Sequence, residues 1–150
     1  NVVRNKVQEV GWTTINAVNP YPQQCFKIPE NFEVMQWHSE TFDLPKGAYL
    51  LACTDACKHQ MFQIGENIIG FQFHPEMTPE TIALYLEHEE QANQFLKHLP
   101  EVKKQLIAST LHHAKVKYKQ GNQILDDAVK YVIQNTKSSL NFDLQKHLIY

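Results

Sequence analysis

One spacing in this sequence has an obvious chemical use. His74, Pro75 and Glu76 follow the apolar run Ile68-Ile69-Gly70-Phe71-Gln72-Phe73. A strand that delivers a histidine at its end, with a carboxylate two residues on, can fix the imidazole in one tautomer. The carboxylate holds one ring nitrogen and leaves the other to move protons. Pro75 between them narrows the backbone freedom of the pair. The same residues also read as a strand-end histidine exposed at a loop, with Glu76 starting the next turn, and the spacing alone leaves both readings open.

A nucleophile would have to come from Cys25, Cys53 or Cys57. Cys53 ends an apolar run, Cys57 lies in the loop from Thr54 to His59, and Cys25 sits in a Pro/Gln-rich stretch. None has flanking glycines or a helix start just after it, the features that expose a sulfur and lower its pKa. All three read as structural free thiols. Cys53, Cys57 and His59 offer three metal ligands where structural zinc uses four, and His112-His113 lie on adjacent helix faces, so no metal site is assigned.

The elements that must position these residues change character near residue 78. Before it, short strands alternate with Gly and Pro; after it, the pattern is helical. Gly11 to Val18 reads as a strand stopped by Asn19-Pro20. Phe32 to Trp37 is a second, Ala48 to Cys53 a third, and Met61–Ile64 with Ile68–Phe73 a hairpin turned by Gly65, Glu66 and Asn67. Pro45-Lys46-Gly47 is a turn. Thr78-Pro79-Glu80 is a helix start, with a cap, a first-turn proline and an acid on the positive end of the dipole. Ile82, Tyr85, Leu86, Phe95 and Leu99 share a face, and Pro100 is read as the end of that run. Two further helices are expected, from about Glu101 to Gln120 with Gly121 as stop, and from about Gln123 to Asn135. Ser138 to Tyr150 is ambiguous.

The chain has 150 residues, 43% of them hydrophobic, enough for one domain with a real core. Fourteen basic and 16 acidic residues leave a formal charge of -2, which gives no electrostatic footprint for nucleic acid or an anionic membrane. No apolar run reaches the roughly 20 residues of a membrane span. Three cysteines fit a reducing, cytoplasmic setting better than a disulfide framework. The chain starts at Asn1 rather than Met, which predicts a piece of a longer unit.

Four segments, in order, resemble the class I, triad-type glutamine amidotransferases. They are Glu9-Val10-Gly11-Trp12; Val34-Met35-Gln36-Trp37-His38-Ser39-Glu40-Thr41-Phe42 with Leu44-Pro45; Leu51-Ala52-Cys53-Thr54 followed by Gln60-Met61-Phe62; and Gly70-Phe71-Gln72-Phe73-His74-Pro75-Glu76. The last matches the family's terminal motif throughout, and the resemblance covers roughly residues 1–100. Within the family it is most similar to stand-alone proteins related to the amidotransferase part of GMP synthase.

The resemblance implies an α/β fold, a three-layer α/β/α (flavodoxin-like) domain of which this is the C-terminal portion. Residues 1–100 would belong to that domain, and residues 101–150 would form a helical extension packed on it. It implies hydrolysis of the glutamine side-chain amide by a Cys-His-Glu triad, with ammonia passed to an acceptor. His74 would be the general acid/base and Glu76 its orienting carboxylate. Ser39 and Glu40 would stand at the glutamine pocket, Ser39 where many members have Gly. His38 reads as a pocket-wall residue that packs or donates to backbone. No metal or organic cofactor is implied.

The family's nucleophile sits on a Gly-x-Cys-x-Gly elbow upstream of the Glu-x-Gly-Trp segment, and no such elbow occurs in these 150 residues. The expectation is that this chain alone is inactive. Its expected partners are the missing N-terminal half or a synthase acceptor domain, and the sheet edge left without that half would need self-association, the helical tail or the missing piece as cover. Two rivals remain: a hydrolase of γ-glutamyl bonds on the same scaffold, and a truncated, non-catalytic interaction module.

Overall fold

The computed structural model of the chain describes residues 1–88, 96–112 and 114–147. β1 (Val2–Ala17) and β2 (Asn31–Phe42) form a long antiparallel ribbon, paired from Val2↔Phe42 to Asn16↔Asn31 with an irregularity between Arg4 and Glu9. β3 (Tyr49–Cys53) meets β1 only at its end, through Asn16↔Cys53 and Ala17↔Ala52. β4 (Met61–Ile64) and β5 (Ile68–Phe71) continue as a meander, giving the order β2-β1-β3-β4-β5 with every pairing antiparallel. The hairpin at Gly65, Glu66 and Asn67 stands where the sequence places it.

The contact of β1 with β3 over its last residues lets the twisted sheet turn a corner. It curls until its two ends meet. Past β5, the His74 amide donates to the Met35 carbonyl of β2 at 2.9 Å, in an antiparallel bridge. The strand read as Gly11 to Val18 is the inner half of β1. Its outer half carries Arg4, Asn5 and Lys6, is mostly exposed, and so shows no apolar alternation to read.

Neighbouring strand residues face opposite sides, and two cores follow from this. Val34 packs with Ile15, Phe32, Leu51, Met61 and Phe73. Met35 packs with Met77, Ile82, Leu96, Leu106 and Tyr118. α1 (Pro79–His88) begins as expected, with Thr78 Oγ1 accepting the Thr81 amide at 3.2 Å. α2 (Pro100–His112) joins it on the Met35 side through Leu106. α3 (Ala114–His147) sends Tyr118 to that side and Ile124 and Ala128 to the other. Helices therefore lie against both cores.

The helix boundary read at Pro100 holds: the preceding helical segment gives way to a turn at residues 97–98, and Pro100 opens α2, where its fixed φ and missing N–H suit a first helical turn. Two other boundaries differ from the sequence reading. Gly121 stops nothing, since α3 runs through it. Ser138 to His147 continues α3. Phe95, His113 and residues 148–150 lie outside the described residues. No helix among the described residues is long and apolar enough to cross a membrane.

Candidate active site

The β2–β5 seam fixes the backbone of His74, and the next two residues turn Glu76 back onto its ring. His74 Nδ1 lies 2.7 Å from Glu76 Oε1. A carboxylate only accepts, so Nδ1 carries a proton and donates, and Nε2 is the nitrogen left to exchange protons. The imidazole is 32% exposed, so the pair is open to a ligand rather than sealed in the core. Partial burial works to raise the Glu76 carboxyl. The hydrogen bond from His74, a backbone hydrogen bond and the His74 charge outweigh it and hold the group below its ordinary 4.5.

Ser39 and Glu40 stand near the end of β2, on the wall of a cleft of about 390 Å³ shared with Trp37, His38, Phe71 and Gln72. Phe71 and Gln72 immediately precede Phe73 and His74, so the segment that leads into the dyad also lines this cleft. His74 and Glu76 themselves are not on its wall. The structure thus joins His74 to Glu76 and Ser39 to Glu40, in two neighbouring places.

Beneath the cleft lies a buried polar network that the sequence reading did not assemble. Glu9 faces His38 across the β1–β2 ribbon. Its carboxylate accepts from Thr54 Oγ1 and from Gln60 Nε2, each at 2.8 Å. Thr54 Oγ1 in turn accepts the Cys57 amide at 2.9 Å. His38 Nδ1 lies 2.9 Å from the Glu40 carbonyl, the backbone contact expected of it. Its Nε2 is 3.3 Å from Glu9 Oε2 without the alignment of a hydrogen bond. Glu9, His38 and Cys57 bring donor atoms within 4.8 Å of one another. Both Glu9 oxygens already accept hydrogen bonds, and Cys57 Sγ is 3.2 Å from Thr41 Oγ1. The trio is therefore knitted into the protein rather than opened toward an ion.

The cysteines sit as the sequence reading places them. Cys25 and Cys57 are buried and Cys53 is half-buried. Burial pushes the Cys25 and Cys53 thiols up, Asp55 adding to the effect at Cys53. Among the described residues, no cysteine hydrogen-bonds to His74. The Cys57 sulfur meets Thr41 Oγ1 at 3.2 Å and the His59 carbonyl at 3.8 Å, while the His59 ring turns away to the Phe42 carbonyl, with Nδ1 at 2.6 Å.

Residues 1–93 match the family model described as glutamine amidotransferase class-I. The chain belongs to the class-I glutamine amidotransferase family. The family expected from the four segments is confirmed, and so is the mixed α/β fold. A solved glutamine amidotransferase from Thermotoga maritima superposes with a TM-score of 0.68 at 26% identity, covering 86% of this chain and 54% of that one. Another, from Methylobacillus flagellatus, gives 0.66 at 20% identity, covering 89% and 55%, and shows the shared fold. Among curated relatives, gamma-glutamyl peptidase 3 of Arabidopsis thaliana is 33% identical over 57 residues, 37% of this chain and 23% of that protein. A glutamine amidotransferase-like protein of Salmonella typhimurium is 34% identical over 58 residues, 39% and 24%. The chain spans just over half the length of these solved relatives, and the matches cover about a quarter of the curated ones.

Proposed function

We propose that this class-I amidotransferase chain supplies the proton-transfer half of a site that hydrolyses the side-chain amide of glutamine. The observation that carries the reading is the 2.7 Å contact of His74 Nδ1 with Glu76 Oε1 in a chain of this family. His74 is the general acid/base and Glu76 orients it. Nε2 takes the proton of a cysteine thiol as its sulfur attacks the carboxamide carbon, then returns a proton to the departing ammonia. Water completes the cycle on the thioester, activated by the same imidazole. The thiol belongs to a Gly-x-Cys-x-Gly elbow, which none of Cys25, Cys53 and Cys57 forms.

Ser39 and Glu40 belong to the pocket for the amino-acid end of glutamine, a placement supported by the cleft they line. Residues 1–100 belong to the domain that carries this site and residues 101–150 form a helical extension packed on that domain, a division supported by the family match to residues 1–93. Ammonia passes to an acceptor on a synthase partner. No metal or organic cofactor takes part in this half-reaction, and the setting is cytoplasmic.

The likeness to a gamma-glutamyl peptidase favours a second reading, in which the same residues cleave γ-glutamyl bonds and water alone completes the reaction. Ammonia release from glutamine, and turnover of γ-glutamyl amides without any acceptor, separate the two. The chain alone is expected at background with either substrate. A family segment bearing the cysteine elbow, supplied in trans, should restore turnover that His74→Ala abolishes. Release by the chain alone that depends on His74, or restored turnover that survives His74→Ala, would overturn the assignment.

A further inference from the structure

The loop that carries Glu76 is gripped from outside the family-matched segment. Asn122, in the first third of α3, donates through Nδ2 to the Pro75 carbonyl at 2.6 Å and to the Met77 carbonyl at 3.2 Å. These two carbonyls flank Glu76, one on each side. Both partners can only accept, which fixes the orientation of the Asn122 amide. The preceding residue, Gly121, is buried against the same loop. A methyl group there would stand 3.4 Å from the Pro75 oxygen and 3.5 Å from its Cα, so nothing larger than Ala fits without displacing the turn. On the far side, the His74 amide is tied to Met35. The span from His74 to Met77 is thus held between the sheet seam and one helix residue.

We infer that Asn122 is the positioning residue of the His74–Glu76 pair, so that the helical extension sets the geometry of the dyad as well as covering the core. The inference rests on the reading of that pair as acid/base machinery. Glu76 has a half-exposed side chain, and among the described residues it is the Asn122 amide that holds the carbonyls on either side of it. Held at both neighbouring carbonyls, its carboxylate can meet Nδ1 in one place. Released, it would swing into water, and the imidazole would lose its reason to keep the proton on Nδ1. Asn at this position does what few residues could, since it needs two donors on one short side chain.

The test is long-range nitrogen NMR of the imidazole rings in the full chain, with His74 assigned by its Ala variant. The wild-type chain should show His74 as the single Nδ1–H tautomer, with a slowly exchanging Nδ1 proton. Asn122→Asp is close in size but turns the donor into an acceptor facing two carbonyls. It should lose the single-tautomer pattern and the protected proton. Asn122→Ser, which keeps one donor and removes the repulsion, should retain part of both and serves if the Asp variant fails to fold. Gln123→Ala, one residue on and exposed, should leave the spectrum as in wild type. Unchanged His74 signals in a folded Asn122 variant would overturn the inference. Because the readout is tautomer and not turnover, that result leaves the catalytic reading standing. A properly set dyad that proves inert in the complemented enzyme would instead sink the catalytic reading alone.

Discussion

The backbone amide of His74 donates to the carbonyl of Met35 at 2.9 Å, and this bond joins the segment after the last strand to the second strand of the chain. A residue proposed to move protons is therefore anchored by its backbone at the closure of the sheet. Its side chain is left to meet Glu76.

Glu76 should mark the acid limb of stability. Its carboxyl titrates below its ordinary 4.5 in the folded chain. The stabilisation it brings is full above that ordinary value and is lost as pH falls through the lowered one. The side chain is 53% exposed, so screening keeps the effect within about 1 kcal/mol. Thermal melts from pH 7 to pH 3 should show wild type losing more stability on acidification than Glu76→Gln. Parallel curves would contradict the pairing.

Glu9 should matter more for folding than any exposed acid. Glu9→Ala strands the donors of Thr54 and Gln60 and leaves buried His38 without its neighbouring carboxylate. Removing one partner of a buried polar network costs about 3–5 kcal/mol when charges are involved. Urea unfolding should show a loss of that order, while Glu101→Ala, at an exposed pair with Lys104, should stay within about 0.5 kcal/mol.

Gly70 pairs with Phe62 across the β4–β5 hairpin, and a methyl group on it would overlap the Phe62 ring. Gly70→Ala should cost about 1–3 kcal/mol by overpacking. Phe62→Leu in the same chain should recover part of the loss. A double-mutant cycle with no coupling would show that the ring yields freely.

The thiols should react in order of access. In the native chain, a disulfide reagent near pH 7.5 should modify half-buried Cys53 before Cys25 or Cys57, and all three at once after unfolding. Raised thiol pKa values at Cys25 and Cys53 keep even those sulfurs mostly protonated there. A cysteine that reacts faster than a free thiol would mark a nucleophile in this chain.

The dyad was legible because its two members are two residues apart and Pro75 stands between them. Local chemistry of that kind survives without a fold. The Glu9–His38–Thr54–Gln60 network was not, because Gln60 lies 51 residues from Glu9 and only strand register brings them together. Asn122 was hidden for the same reason, 47 residues from the carbonyl it holds. Gly121 misled for another. Glycine serves two opposite ends in helix grammar, since it can end a helix or let a second segment approach one closely. Only packing against Pro75 shows which use applies at Gly121.

Among the described residues, the strands form a hoop fastened by one stitch, between Met35 and His74. Its integrity can be followed through one proton. If the stitch slips, the imidazole is carried away from the rest of the site while both apolar cores remain packed. Hydrogen exchange at the His74 amide would therefore report a loss of competence that calorimetry would miss.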